Sequence, residues 1–316
     1  MTSWRVATFN IRHGLGPDER VDLPRLAGQI AALDADVIGL QEVDVRFGDR
    51  SDHADQAARL GELLGMQVRF GAALDLPPEV AGAPRRQYGL ALLTRHEILT
   101  QQMHLLPDHP AGPPSREPRG VLHARLRHRG GEELDVLVTH LDDATREHRT
   151  AQVQGILRLA EQIPGPAVLV GDMNADPSAP ELAALSATGW RDAAQHVGLD
   201  AAQHVGRAAA EGTGPGEGST AAPPRTARRR AVPPGIAHAA RSLLALAGRD
   251  RGTAPRATHP AQFPVRRIDA LWLRGGITAC AVTVGPRGSS DHRSVVATVH
   301  VEPPPPGAPH RGARRG

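Results

Sequence analysis

Acidic and amide side chains end several apolar runs of this chain, and these residue types can hold a metal ion and an attacking water. Glu42 ends one run, and Mg²⁺ needs only one or two protein carboxylates because water and substrate phosphate fill its other positions. Asp172 and Asn174 follow another run, and side chains two residues apart in a strand project to the same side. Such a pair could hold a water or a phosphate oxygen for in-line attack. A solvated glutamate and an Asx turn are the simpler explanations when each feature is taken alone.

Asparagine is scarce in the 316 residues, which contain only Asn10 and Asn174, and all 37 basic residues are arginine because lysine is absent. This composition is typical of a GC-rich genome, which replaces asparagine and lysine wherever another residue serves. We therefore expect that the side-chain amide is required at both positions, with a left-handed turn as the alternative.

Two histidines next to strand-like runs are candidates for proton transfer. His140 ends one apolar run, and His292 follows Ser290 and Asp291 just before another. Imidazole exchanges protons near neutral pH and can stabilise charge on a phosphoryl group, although a lone histidine at a strand end more often has a structural role. Asp269 lies inside an apolar run, where a buried carboxylate needs a partner. A histidine partner would satisfy it and would fix the imidazole tautomer.

Eight strand-like runs and three helix-like stretches would position these residues. The predicted strands cover residues 6–9, 37–43, 89–94, 121–126, 134–141, 167–171, 268–273 and 295–301. Apolar residues recur at helical spacing from Leu23 and from Ala57, and residues 144–163 form a third helical stretch. Several strands alternate polar and apolar residues, and consecutive strands often lack an intervening helix. The pattern therefore favours two packed sheets with helices outside over a single doubly wound sheet.

One domain is predicted over residues 1–301, interrupted at about 200–257 by a segment rich in Ala, Gly, Pro and Arg. We expect a flexible insertion there, with a short docked helix over Ile236–Ala247 as the alternative. Residues 302–316 are predicted to be a disordered tail. Residues 195–257 carry a formal charge of +5 and the tail carries +2, which leaves −4 for the rest of the chain. Despite a pI of about 10.1, the predicted core lacks the positive charge of a typical nucleic-acid-binding domain.

The chain shows no secretory signal after Met1 and no run of about 18 apolar residues, so we expect neither secretion nor a transmembrane helix. The single cysteine, Cys280, excludes an intramolecular disulfide. A cytoplasmic monomer is the expectation.

Six short motifs stand in a fixed order along the chain. They are Thr8-Phe9-Asn10-Ile11, Leu40-Gln41-Glu42, Thr139-His140-Leu141, Gly171-Asp172-Met173-Asn174, Arg267-Ile268-Asp269 and Ser290-Asp291-His292. In this order they resemble the motifs of the endonuclease/exonuclease/phosphatase superfamily, which has the deoxyribonuclease I-like fold. The resemblance covers roughly residues 4–192 and 258–301, and it implies a four-layer αββα sandwich that hydrolyses phosphoesters with Mg²⁺ or Mn²⁺.

The resemblance also implies which residues hold the metal and the water. Glu42 would be the main metal ligand, with Asn10 and Asp291 helping to hold the ion. Asp172 and Asn174 would position or activate the attacking water.

The same resemblance assigns the proton and phosphate contacts. His292, oriented by Asp269, would be the acid/base, and His140 would stabilise charge on the phosphoryl group. Whether Asp172 or His292 takes the proton of the water is open. Tyr88 and Arg119 are expected to contact the phosphate, with a surface ion pair as the alternative for Arg119.

The substrate is less constrained than the chemistry. Asp44 stands where the branch that repairs abasic sites usually has lysine, which argues against that activity. The leading hypothesis is a phosphodiesterase or phosphatase that acts on a small phosphorylated or phospholipid-type molecule. An endonuclease or exonuclease acting on DNA or RNA is the alternative, although a core charge of −4 and 3% aromatic residues offer little for tracking a backbone or stacking bases. A non-catalytic protein that binds through the arginine-rich insertion is a third hypothesis.

Overall fold

The computed structural model describes residues 2–112, 117–197 and 257–302. The predicted insertion at about 200–257 and the predicted tail 302–316 lie outside these residues, apart from one residue of each. All the described residues belong to one compact unit.

Twelve strands in the described chain form two six-stranded sheets. In chain order the strands are β1 Thr2–Asn10, β2 Val37–Val45, β3 Gln67–Leu76, β4 Arg86–Thr94, β5 Glu97–Leu105, β6 Gly120–Arg127, β7 Glu133–His140, β8 Ala167–Asp172, β9 Arg191–Asp192, β10 Asp269–Arg274, β11 Ile277–Val284 and β12 Val295–Val301. The first sheet has the order β11-β12-β1-β2-β4-β3 and the second has the order β5-β6-β7-β8-β10-β9.

Helices cover the outer face of each sheet. They are α1 Leu23–Ala31, α2 Gln56–Leu64, α3 Arg146–Glu161 and α4 Ala183–Ala187. The first three begin at a side chain that accepts a backbone N–H of the first turn, which satisfies one of the amides that a helix start leaves unpaired. These caps are Asp22, Asp55 and Thr145.

Three apolar clusters bind the layers together. The largest lies between the sheets, a second joins α1 and α2 to the first sheet, and a third joins α3 to the second sheet. Burial of these apolar faces drives the packing of two sheets and two outer helical layers. The predicted αββα sandwich is therefore confirmed.

The sheets approach each other closely at Gly39 of β2. A Cβ atom at this position would lie 2.6 Å from Val170 Cγ2 and 3.0 Å from the methyl groups of Val138, both on the opposite sheet. Only glycine allows this spacing without displacing the valines.

Each sheet contains one parallel pair of neighbouring strands, and that pair delivers the candidate site. β1 and β2 are parallel and joined through α1, and β7 and β8 are parallel and joined through α3. Parallel strands end at the same edge of a sheet, so Asn10 and Glu42 come from one sheet and His140 and Asp172 from the other.

The predicted strands and the three longer helices are present, but four strands were missed. β3, β5 and β11 lie at or next to sheet edges and mix exposed and buried residues, and β9 has only two residues. No helix in the described residues is long and apolar enough to cross a membrane.

Candidate active site

Asn10 links the carboxylates that come from the two sheets. Its Nδ2 donates to Glu42 Oε1 at 2.9 Å and to Asp172 Oδ2 at 3.1 Å. The backbone N–H of Arg12 donates to Asn10 Oδ1 at 3.0 Å, which fixes the orientation of the amide. The amide therefore presents its nitrogen to both acids, whereas a metal ligand would use the oxygen.

Glu42 and Asn174 both adopt the left-handed backbone, with φ of 57° and 49°. Glu42 lies where the pairing of β2 with β4 shifts register, so a bulge turns the carboxylate toward the site. Backbone strain of this kind concentrates at functional sites.

Asn174 is held by its own turn and by the end of β7. Its backbone N–H donates to Asp172 Oδ1 at 2.9 Å. Its Nδ2 donates to the carbonyl of Leu141 at 2.9 Å and lies 3.2 Å from His140 Nε2. The Asx turn considered from the sequence is therefore present, and it places the amide inside the cluster.

His292 and Asp269 form the predicted pair. His292 Nδ1 lies 2.9 Å from Asp269 Oδ2, and its Nε2 lies 3.6 Å from Asp172 Oδ2. Asp269 is fully buried, and its backbone N–H donates to Thr258 Oγ1. Ser290 Oγ accepts from the His292 backbone N–H and donates to the carbonyl of Asn10, so the His292 loop is tied to β1.

This environment raises the pKa of both His292 and Asp172. Burial lowers the pKa of His292, but Asp269 and Asp172 oppose this and raise the pKa to about 10. Burial raises the pKa of Asp172 to about 7, with His292 opposing and Asp269 adding to the rise. Strongly shifted pKa values of this kind concentrate at functional sites.

The pKa of His140 is shifted in the opposite direction from that of His292. Burial lowers the pKa of His140 well below its ordinary value, and Arg119 and His292 lower it further. Arg119 Nη1 lies 3.1 Å from His140 Nδ1, and Nη2 lies 3.1 Å from Asp143 Oδ1. His140 Nε2 faces Asp172 Oδ2 at 3.7 Å.

The oxygen donors around Glu42 suit a divalent cation. Burial raises the pKa of Glu42, its hydrogen bond from Asn10 opposes this, and Asp291 adds to the rise. A like charge close to a buried carboxylate is what a bound cation would relieve, and carboxylate oxygens suit Mg²⁺ or Mn²⁺. Asp291 is partly exposed, and Arg12 lies 3.6 Å from it.

A second group, Asp172, Asp269 and His292, has ligand atoms within 4.8 Å of one another. This group fits proton transfer better than metal binding, because both ring nitrogens of His292 face carboxylates, Nδ1 that of Asp269 and Nε2 that of Asp172. The Glu42 side of the site is therefore the better candidate for the ion.

Tyr88 lies on the first sheet beside a cation–π arrangement that the sequence did not predict. Burial raises the pKa of Tyr88, and nearby Glu42 raises it further. Arg50 lies 4.0 Å above the Phe47 ring and 5.4 Å from the Tyr88 ring, and Asp44 accepts two hydrogen bonds from it at 2.9 and 2.7 Å. Asp44 stands where the branch that repairs abasic sites usually has lysine, and here it holds Arg50 near the site.

His259 is another residue that the motifs did not identify. Its ring centroid lies 4.6 Å from that of His292, and its Nδ1 is buried without a partner in the described part of the chain. The loop of His259 is anchored to the site, because Ala261 N donates to the carbonyl of Asp291 and Arg266 Nη2 donates to the carbonyl of Asn174. The sequence feature that could have indicated His259 as a site residue is its position shortly before the Arg-Ile-Asp motif.

Comparison with known proteins gives one family and one fold. The model of the Endonuclease/Exonuclease/phosphatase family matches residues 7–292. Among solved structures, an endonuclease/exonuclease/phosphatase from Beutenbergia cavernae has a TM-score of 0.64 and 22% identity, covering 95% of this chain and 72% of that one. No curated protein matches.

Two further structures share the fold at lower identity. A mannosyl-6-phosphatase from Bacteroides thetaiotaomicron has a TM-score of 0.58 and 17% identity over 94% of this chain and 97% of that one. The TDP2 of D. rerio, humanised by 14 mutations, has a TM-score of 0.57 and 15% identity over 95% and 99%.

Proposed function

The chain belongs to the endonuclease/exonuclease/phosphatase family, and we propose that it is a Mg²⁺-dependent hydrolase of phosphoester bonds. The structurally similar proteins named above include a mannosyl-6-phosphatase, and hydrolysis of a phosphoester is the activity that the family supports. The finer proposal is a phosphodiesterase or phosphatase for a small phosphorylated or phospholipid-type substrate.

The observation that carries this proposal is the position of Asp172, which lies between Asn10 and Glu42 on one side and His292 on the other. Its Oδ2 atom is 3.1 Å from Asn10 Nδ2, beside Glu42, and 3.6 Å from His292 Nε2. A carboxylate in this position can orient a water on one side and exchange a proton on the other. A protein that only binds its partner has no need for such a group.

The proton affinities favour Asp172 as the general base. With a pKa of about 7, a large share of Asp172 is unprotonated at neutral pH, and an ideal base has a pKa near the working pH. His292, with a pKa of about 10, is protonated there and cannot accept the proton of the water. Water would attack phosphorus while its proton passes to Asp172, the P–O bond to the alcohol group would break, and the released alkoxide would take up a proton from solvent.

The remaining residues stabilise the charge that develops on the phosphoryl oxygens. His292 offers a cationic N–H, whose partner Asp269 fixes the ring through Nδ1. His140 and Asn174 offer neutral donors. Preorganised donors in a buried site are usually the largest single contribution to catalysis of this type.

The metal would lie at Glu42 and Asp291, with Asn10 alongside. When bound, Mg²⁺ would supply Lewis-acid polarisation of a phosphoryl oxygen and would neutralise part of its charge. Mn²⁺ would serve the same donors. A cytoplasmic location and a monomeric state stay predictions of the sequence.

A substrate panel with and without Mg²⁺ tests the proposal. The panel contains bis(p-nitrophenyl) phosphate, p-nitrophenyl phosphate, a phospholipid in mixed micelles, and single-stranded DNA and RNA. We expect hydrolysis of a small substrate that EDTA abolishes and Mg²⁺ or Mn²⁺ restores. The Glu42→Gln variant should need more metal for the same rate, whereas His300→Gln, at the far end of β12, should match the wild type.

Three results would contradict parts of this proposal. Full activity in EDTA would exclude metal dependence. Cleavage of nucleic acid alone would select the nuclease alternative. Binding of RNA or anionic lipid without turnover of any substrate would select the non-catalytic alternative.

A further inference from the structure

Arg119 is buried beside His140 in a way that determines which imidazole nitrogen carries the proton. The Arg119 side chain is only 5% exposed, and its Nη1 lies 3.1 Å from His140 Nδ1. A guanidinium can donate hydrogen bonds but cannot accept them. His140 Nδ1 must therefore be the acceptor, and the proton of the neutral ring lies on Nε2.

The Nε2–H of this tautomer faces a second donor. Asn174 Nδ2 lies 3.2 Å from His140 Nε2, and the same Nδ2 donates to the carbonyl of Leu141 at 2.9 Å. Rotating the amide would set Asn174 Oδ1 against that carbonyl, so the nitrogen must stay where it is. Two donor nitrogens 3.2 Å apart cannot bond each other, but both can donate to one oxygen that lies beside them, on the side where Nε2 also faces Asp172 Oδ2 at 3.7 Å.

We propose that Arg119 is a positioning residue, which holds His140 in the Nε2–H tautomer so that His140 and Asn174 donate to one phosphoryl oxygen. The proposal rests on the phosphoester hydrolysis proposed above. It gives Arg119 a role different from the direct phosphate contact expected from the sequence.

The contacts of Arg119 support positioning over direct binding. Its Nη1 also lies 3.1 Å from Glu117 Oε2, and its Nη2 lies 3.1 Å from Asp143 Oδ1. Both terminal nitrogens are therefore engaged by protein, and burial leaves little of the side chain open to a ligand. Burial, Arg119 and His292 also lower the pKa of His140, which keeps the ring neutral.

The tautomer can be measured directly by nitrogen NMR, without any assay of activity. Two-bond ¹H–¹⁵N spectra of ¹⁵N-histidine-labelled protein separate protonated from unprotonated ring nitrogens, and loss of signals in His140→Asn assigns His140. We expect a neutral His140 with Nε2 protonated at pH 7. In Arg119→Met the Nδ1–H form should become populated. A wild-type His140 that is protonated on Nδ1, or unchanged in Arg119→Met, would overturn the proposal.

Kinetics with a small substrate then separate positioning from binding. In Arg119→Met we expect kcat to fall by about 10²-fold, comparable with loss of one preorganised donor, while KM stays nearly constant. Arg119→Lys should recover part of the loss and the wild-type tautomer, because lysine also donates. A rise in KM with unchanged kcat would instead identify Arg119 as a phosphate contact.

A matched control comes from β6, the strand that begins just after Arg119. Arg125 in this strand is a partly buried arginine that donates to Asp135 at 3.1 and 3.2 Å, away from the site. Arg125→Met should leave the His140 tautomer unchanged. If Arg119→Met does not fold, the wild-type tautomer still tests the proposal, because a His140 protonated on Nδ1 would overturn it. If no substrate is ever turned over, the NMR result still decides the proposal about Arg119.

Discussion

Replacing Asp269 by asparagine removes one negative charge beside His292 with almost no change of shape. Asp269 Oδ2 lies 2.9 Å from His292 Nδ1, and both side chains are buried. The asparagine carbonyl can still accept from Nδ1, so the ring orientation should persist. We therefore expect the Asp269→Asn variant to change chiefly the proton affinity of His292.

The expected size of this change follows from the ordinary pKa of His292 and its pKa in the folded protein. The pKa of His292 is raised from 6.5 to about 10, a difference of about 3.5 pH units. At about 1.36 kcal/mol per pH unit, this corresponds to about 5 kcal/mol in favour of the protonated ring. Asp172 also contributes, and one close opposite charge shifts a pKa by about 1–3 pH units. We expect the pKa of His292 to fall by about 2 pH units in the variant.

The alkaline limb of the pH profile reports this change. The active form proposed here has Asp172 unprotonated and His292 protonated, so wild-type kcat should decline as pH rises through about 10. In Asp269→Asn this decline should begin near pH 8, an estimate from the same range of shifts. The acid limb depends on Asp172, whose pKa Asp269 also raises, so the comparison uses the alkaline limb.

Two measurements check the reasoning together. The first is kcat for bis(p-nitrophenyl) phosphate between about pH 5 and about pH 11. This range extends beyond the pKa values of Asp172 and His292 on both sides, so it covers both limbs of the profile. The second is the NMR titration of His292 in both proteins. A wild-type His292 that titrates near its ordinary pKa, or an alkaline limb that does not move in Asp269→Asn, would refute the argument.

Unfolding provides a further check with a defined sign. The folded-state pKa of His292 is raised, so its contribution to stability is fully present below pH 6.5 and is lost as pH rises through about 10. The difference in unfolding free energy between wild type and Asp269→Asn should therefore be largest below pH 6.5 and shrink toward pH 10. Urea titrations at several pH values measure this difference, and one that grows with pH would contradict it.

Three other predictions follow from the packing and the layout of the chain. Gly39→Ala should destabilise the protein by about 1–3 kcal/mol in urea unfolding, because its Cβ would lie 2.6 Å from Val170 Cγ2, and an unchanged midpoint would show that the sheets can separate. His259→Ala should lower kcat more than His259→Phe, which keeps a ring against His292; equal losses in both would point to a polar role for the imidazole. Replacing residues 201–256 by a Gly/Ser linker should preserve turnover of a small phosphodiester, because every candidate catalytic residue lies outside that range, and collapse of turnover would contradict this.

The sequence predicted the residues at strand ends because their types are restricted by chemistry. Asn10, Glu42, Asp172 and His292 meet in the structure although they are far apart in the chain, and the order of the motifs was sufficient to expect this. The central strands were predictable too, since both faces of them are apolar. The edge strands were not, because one face meets solvent and the apolar pattern is diluted.

Contacts made across the site could not be inferred from local patterns. Arg119 could have been a surface ion pair, and only the tertiary structure shows it buried against His140. His259 resembles any other histidine in a loop until its ring is seen beside His292. The orientation of the Asn10 amide likewise depends on Arg12, whose backbone N–H no motif specifies as a donor.

The close approach of the sheets at Gly39 links the packing of the apolar interior to the geometry of the candidate site. Glu42 belongs to one sheet and Asp172 to the other, and the separation of their carboxylates equals what one Asn10 amide nitrogen can span at 2.9 and 3.1 Å. The spacing of the two sheets therefore helps to set the distance between these two carboxylates. For the proposed hydrolase, we therefore expect substitutions at interior side chains such as Val170, which never meet the substrate, to change the rate.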